Sequence, residues 1–402
     1  MISRNIFPTL CSAVETDDLI LLIGARQVGK TTLLQQLQAY LEPQHSVVFL
    51  SLEDPDILYD LNQHPANLLQ FLTDGKTRSI VLLDEIQYLD NPSNFLKYHY
   101  DLNRNILKIF ATGSSAFYLD QKFKDSLAGR KQIFEILPLS FSEFLRAANE
   151  IQLADKVHTE NPLNRKRRWL NAQRQKLMRY WDLYQQYGGY PKIALTQDRN
   201  LKQSYLNDLI HSFLKKDIYE ARIHHEEKFY KLLRLVAEQT GQLLNSNELA
   251  NTLGLSHETV QNYLYLLQKA FIIRLCHPFS RNLRKELTKM PKAYFFDHGL
   301  RNTLLRTVQP IMRHPYNGAT LENMFFTELL KRGIEDIRYW RTQDQAEVDF
   351  IVDEQCAFEV KLHSRQFKSQ KYQRFTNTYP DLPLHALVLN DEEALDVLDI
   401  SQ

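Results

Sequence analysis

The sequence predicts an α/β protein of several domains: a parallel sheet with helices on both faces, a helical and winged-helix middle, and a second α/β domain at the C-terminus. Three observations lead there. Short apolar runs at about 19–23, 47–51, 80–84, 107–112 and 133–137 alternate with polar or helical stretches, the rhythm of strand–helix–strand units. Residues 141–240 read as helical, broken at Tyr187-Gly188-Gly189-Tyr190-Pro191. Beyond residue 300 an amphipathic helix at 319–332 precedes strands near 337–341, 347–352 and 356–361. A chain of 402 residues exceeds one ordinary core, and we expect segments at 1–145, 146–228, 229–300 and 301–402.

The first segment carries the most specific chemistry. Gly24-Ala25-Arg26-Gln27-Val28-Gly29-Lys30-Thr31 has the spacing G-x-x-x-x-G-K-[ST], entered by an apolar strand and left by a helix that Thr32 opens. Glycines let backbone N–H groups converge on phosphates, and a helix N-terminus adds partial positive charge. Lys30 is placed to reach β- and γ-phosphates, and the Thr31 hydroxyl to ligate magnesium. The strand Ser79-Ile80-Val81-Leu82-Leu83 ends in Asp84, a second magnesium ligand, and Glu85, which would polarise the attacking water. Phe110-Ala111-Thr112-Gly113-Ser114-Ser115 ends the fourth strand in hydroxyls, with Thr112 the candidate γ-phosphate sensor. Arg130 is a candidate arginine finger, within the subunit or across an interface.

Composition bounds the rest. With 49 basic and 48 acidic residues the chain carries a net charge of +1, so any nucleic-acid surface must be a local patch. At 44% hydrophobic and 24% charged, wholesale disorder is excluded. Cys11, Cys276 and Cys356 have no paired spacing, which fits neither a disulfide framework nor a zinc site and suggests a reducing compartment. The apolar runs are strand-length, and Met1-Ile2-Ser3-Arg4-Asn5 leads into no signal-peptide core, so a cytoplasmic location without membrane contact is expected.

Asn247–Leu264 reads as helix-turn-helix, the first helix ending at Gly254 and Ser256 capping the second. A hairpin follows, from Ala270–Leu275 to Ala293–Phe296, and between its strands Arg281, Arg284, Lys285, Lys289 and Lys292 meet one acid, Glu286. That pattern suits phosphate contact by a winged helix, or a protein-binding module of the same shape. Residues 161–181 hold seven basic and no acidic side chains, with Trp169 and Trp181 interleaved, either stacking on bases or facing a core.

In the C-terminal segment Glu322 lies on a helix, Asp349 on an alternating strand, and Glu359 with Lys361 on one face of the next strand. This is the layout of restriction-enzyme-like nucleases. There Glu322, Asp349 and Glu359 would bind magnesium or manganese, and Lys361 would orient or deprotonate water.

The marks GARQVGKTTLL, LLDEIQ, TGSSAF, LAGR, LPLSFSEF, YGGYP, EVDFIV and FEVK together resemble a widespread prokaryotic family of predicted AAA-type ATPases. The resemblance covers nearly the whole chain and is weakest at 150–186. It implies a P-loop AAA-type ATPase domain, a winged helix and a restriction-endonuclease-like domain of poorly defined function. The expected activity is magnesium-dependent ATP hydrolysis coupled to binding of duplex or branched DNA, with metal-dependent cleavage at the C-terminal site, in a homo-oligomer. Its rivals are a DNA-binding ATPase with a silent nuclease fold, and a nucleotide-switched regulator that binds protein partners.

Overall fold

The computed structural model describes residues 2–72, 78–113, 127–158, 170–220 (side chains to 215), 223, 225–280, 289–315 and 317–389. The chain divides into two compact units: Ser3–Leu137 with Lys269–Phe271, and Pro138–Gln268 with Ile272–Gln402 joined by Met1–Ile2.

The first unit is built on five parallel strands, β1 (Leu19–Ile23), β2 (Val47–Ser51), β3 (Ser79–Asp84), β4 (Leu107–Gly113) and β5 (Lys131–Glu135). Their order is β2-β3-β4-β1-β5, so β4 lies between the strand that enters the glycine loop and the strand that ends in acids. Every residue of β1, β3 and β4 is buried, which is why these strands read as unbroken apolar runs. The edge strand β5 is largely exposed and sits two residues earlier than the apolar run at 133–137 suggests. Ile136 and Leu137 are buried beyond its end: Ile136 N still donates to Ile23 O at 2.6 Å, and its carbonyl lies against Gly24.

In the second unit Phe141, Trp181, Tyr184, Tyr294, Phe325, Phe350 and Phe358 share one hydrophobic cluster, and Phe279, Trp340, Phe375 and Tyr379 belong to another. The first cluster draws on all three segments expected after residue 145 and on Phe141 just before it, so residues 138–268 and 272–402 form one compact unit that begins earlier than expected. Helices Ser246–Leu253 and His257–Lys269 carry the caps that the sequence suggests: Gly254 adopts φ 58°, and Ser256 Oγ accepts from Thr259 N at 3.0 Å. β6 (Ile273–Cys276) and β7 (Lys292–Phe295) pair antiparallel. Helix Asn317–Lys331 precedes a mixed sheet of β8 (Ile337–Arg341), β9 (Glu347–Val352), β10 (Cys356–Lys361) and β11 (Leu384–Val388), in the order β11-β10-β9-β8.

The Tyr187–Pro191 turn is a structural joint. Gly189 N donates to Asp297 Oδ2 at 2.7 Å, and Gly189 O accepts from Leu139 N at 2.7 Å. A Cβ at Gly188 would lie 2.1 Å from Asp297 Oδ1, and one at Gly189 would lie 2.3 Å from Leu139 O. Glycine is required because backbone passes through space that a side chain would fill. Beside it, the buried Glu328 carboxylate accepts from Phe141 N at 3.1 Å and from Tyr184 OH at 2.6 Å.

In the first unit His99 is 1% exposed, with Nε2 on Pro65 O at 2.9 Å and Nδ1 on the Asn103 amide at 3.1 Å. A carbonyl at Nε2 and an amide donor at Nδ1 together hold the neutral ring. Burial lowers its pKa to about 4, against a partial offset from the Pro65 bond. Because the folded value lies below the unfolded one, the stability it contributes is present above about pH 6.5 and is lost as pH falls towards 4. Urea unfolding at pH 7.5 and pH 5 should show the slope, and His99→Gln should remove up to about 2 kcal/mol of that difference. An unchanged slope in the variant would show that His99 does not titrate in this way.

Candidate functional site

The glycine loop leaves β1 at Gly24, where a Cβ would lie 2.1 Å from Ile136 O. It closes at Gly29 with φ 95°, a conformation open to glycine, and Gln27 takes φ 63°. Helix Lys30–Leu41 starts there, so its unsatisfied N–H groups face the loop. Ala25 and Val28 are buried, Arg26 is half-buried, and Gln27 and Thr32 are exposed. Lys30 is 5% exposed and folds back over the loop, donating from Nζ to Gly24 O at 3.0 Å and Ala25 O at 2.9 Å.

β3 delivers Asp84 to the same place. Its carboxylate accepts from Thr31 Oγ1 at 2.9 and 3.1 Å and from Thr112 Oγ1 at 2.6 Å. Glu85 follows in a left-handed conformation, φ 59°, unusual for a non-glycine residue. Its N–H donates to Thr112 Oγ1 at 2.8 Å, and its carboxylate accepts from Gln87 Nε2. Thr112 therefore commits its hydroxyl on both sides: it is fully buried, gives its proton to Asp84 and receives the Glu85 amide. The residue expected to sense the γ-phosphate thus lies where the two acids meet, with its hydroxyl bonded to both. Ser114 and Ser115 lie outside the described residues.

Arg130 corrects another expectation. It precedes β5, and its carbonyl accepts from Leu19 N at 2.9 Å, which puts it where β1 begins. The loop lies at the other end of β1, about 16 Å away for a five-residue strand. Arg130 Nε bonds Asp101 Oδ1 at 3.0 Å, and its guanidinium lies over Tyr100. A finger acting within the subunit is excluded by that distance.

In the second unit the acids expected in the C-terminal segment do converge, with partners that sequence reasoning missed. Asp349 is 5% exposed; its Oδ2 accepts from Val360 N at 2.8 Å, and its N–H donates to Glu359 Oε2 at 3.3 Å. Lys361 pairs with Glu359 and lies 3.8 Å from Asp349 Oδ2. Tyr372 OH donates to Glu359 Oε1 at 2.8 Å. Glu322 reaches the group from its helix: Tyr294 OH donates to it at 3.4 Å and Lys292 Nζ lies at 4.0 Å. Lys292 also pairs with Glu347, which Arg341 holds at 2.7 Å. Burial, then Glu322 and Glu359, raise the Asp349 pKa well above the carboxylate range. Burial lowers the Lys292 pKa, but Glu322 and Glu347 outweigh it and leave the ammonium above its ordinary value.

Among the described residues no group of three or more His, Cys, Asp or Glu is arranged to hold a metal ion. Glu322, Asp349 and Glu359 meet two ammonium groups, Lys292 and Lys361, of which Lys292 also serves Glu347. The oxygen donors suit magnesium or manganese, but as arranged here they do not form the expected site. Glu347 was legible, since it precedes Asp349 by two on one face of β9. Lys292 gave one signal, a lone cation within Lys292-Ala293-Tyr294-Phe295-Phe296.

The same residue corrects the expected basic hairpin. Lys292 is 1% exposed and serves the carboxylates, and Lys289 Nζ donates to Arg341 O at 3.0 Å. Arg281, Arg284, Lys285 and Glu286 lie outside the described residues, as do Arg165, Lys166, Arg167, Arg168 and Trp169. Trp181 is fully buried, edge-on to Phe141 at 5.0 Å between ring centroids, so it faces the core and does not stack on bases. The exposed face of helix His257–Lys269 presents Glu258, Gln261, Asn262 and Tyr265. No described helix is long and apolar enough to cross a membrane.

A family model described as an AAA domain matches residues 16–145, and two domains of unknown function, DUF8612 and DUF4143, match 178–310 and 317–400. An uncharacterized protein of Haemophilus influenzae is 28% identical over 91% of this chain and 89% of its own length. The uncharacterized protein MJ1637 of Methanocaldococcus jannaschii is 30% identical, over 77% of this chain and 68% of its own. Among solved structures, the Thermotoga maritima RuvB Holliday junction branch migration motor is 20% identical with a TM-score of 0.35, over 72% of this chain and 95% of that one. So loose a likeness carries no functional weight.

Lys292→Met should cost about 3 kcal/mol in urea unfolding, because it strands Glu322 and Glu347 around a buried gap. Glu322→Gln in the same chain should recover part of that. A solvated, phosphate-contacting lysine would instead change stability by less than about 0.5 kcal/mol.

Proposed function

The chain belongs to the family of the Methanocaldococcus jannaschii protein MJ1637 and carries an AAA-type ATPase domain, and from that premise we propose that it hydrolyses MgATP at the loop of residues 24–31. The observation that carries this reading is the convergence of Thr31, Asp84 and Thr112, with Glu85 beside them.

Each residue has a derived task. Loop amides and the helix N-terminus receive the phosphates. Lys30 exchanges its two carbonyl partners for phosphate oxygens, which needs only a turn of its flexible stem. Thr31 and Asp84 are hard oxygen donors within hydrogen-bond distance of each other, and so few protein ligands suit a magnesium ion that keeps waters and phosphates around it. Magnesium, when bound, neutralises charge on the β- and γ-phosphates. The Glu85 carboxylate accepts a proton from the attacking water, or orients it, from a backbone fixed by the Thr112 hydroxyl.

We further propose that this turnover is coupled to nucleic acid, through the basic runs at 165–168 and 281–285. The support is the local charge asymmetry at 161–181 in a chain of net charge +1. We read the C-terminal part as a nuclease-like domain that is silent as a cutter, because its described carboxylates are not arranged to hold a metal ion. Arg130 is retained as a finger only across an interface between copies.

Lys30→Ala should abolish turnover. Glu85→Gln should retain ATP binding and lose about 100-fold or more in kcat, and Thr112→Val should lose about tenfold with affinity nearly unchanged. Glu85→Gln at wild-type rate would remove the assignment of the water-activating acid. Turnover measured with and without duplex and branched DNA, across salt, tests the coupling. Equal rates and no salt-sensitive binding would overturn it.

A further inference from the structure

Arg4 lies far from the glycine loop in sequence yet bonds to it. It is 8% exposed, donating from Nη1 to Val28 O at 2.9 Å and from Nη2 to Leu137 O at 2.7 Å. Both carbonyls are in the first unit, 24 and 133 residues away. Leu137 follows Ile136, whose carbonyl packs against Gly24, so the same short segment supports both ends of the loop.

The choice of carbonyl matters. The peptide bond between Val28 and Gly29 is planar and trans, so its C=O and N–H point in opposite directions. Pinning Val28 O to a cation aims the Gly29 N–H the other way. Gly29 sits at φ 95° and, lacking Cβ, can rotate its flanking peptides at little cost. A flip would turn the carbonyl oxygen towards an incoming phosphate and the N–H away from it. A guanidinium with two planar donors suits this task, since it holds one carbonyl while anchored on another.

We propose that Arg4 is a positioning residue for nucleotide binding: it latches the Val28–Gly29 peptide so that the Gly29 amide faces the phosphates. This rests on the MgATP reading above. Arg4 touches no phosphate in this role and acts only through the loop backbone.

The test uses full-length Arg4→Lys and Arg4→Gln, with ADP affinity by calorimetry and MgATP turnover. Each variant can bond one carbonyl, which limits the risk of unfolding. Arg4→Gln should weaken ADP and raise KM by about tenfold, with kcat within about threefold. Arg4→Lys, keeping the charge, should fall between Arg4→Gln and wild type. If both variants match wild type in affinity and KM, or lose only thermal stability, the latch is wrong and the ATPase reading stands. If wild type itself binds neither ADP nor ATP, the ATPase reading fails and takes the latch with it.

Discussion

The Asp84 carboxylate is where the first unit comes together. Thr31 reaches it from the helix after the glycine loop, and Thr112 from the strand that lies between β1 and β3. β1, β3 and β4 are wholly buried, so their ends are held by close packing on both faces of the sheet. Glu85 follows Asp84 in a strained backbone conformation, and the hydroxyl that aligns Asp84 also receives its amide. Strain of this kind persists where the surroundings over-determine it. Two consecutive acids are thereby set in fixed relation by one threonine.

The loop is stabilised from outside as well as within. Lys30 holds the carbonyls of Gly24 and Ala25, Ile136 fills the space beside Gly24, and Arg4 takes the carbonyl of Val28. Carbonyl oxygens turned onto cations leave the opposite faces of their peptides, the N–H groups, free for anions. The loop is thus preorganised by its neighbours to a degree that its glycines alone would not produce.

The second unit follows a different rule, in which buried charges share partners. Lys292 lies between Glu322 and Glu347, and Lys361 between Asp349 and Glu359, while Lys331 and Tyr184 attend Glu328. Removing any one partner leaves an expensive orphan, so these groups specify how β7, helix Asn317–Lys331, β9 and β10 meet. The Asp297–Gly189 bond does the same for the glycine turn at 187–191.

Strand and helix positions were largely legible, because buried parallel strands write themselves as apolar runs and helix ends as caps. β1 to β4 and β8 to β10 lie close to their expected ranges; β5 shifted because the buried Ile136 and Leu137, which extend the apolar run, lie beyond its end. The placement of the 24–31 loop between strand and helix, and of Asp84 and Glu85 at a strand end, was legible for a related reason: local spacing sets where strand, turn and helix fall. What the sequence by itself determined, then, is what depends on near neighbours along the chain. Only the tertiary structure decided which side of each side chain meets another. It set Thr112 between Asp84 and the Glu85 amide, put Arg130 at the far end of β1, buried Lys292 among acids and brought Arg4 to Val28. Those outcomes depend on strand order and long-range packing, and composition and spacing do not encode them.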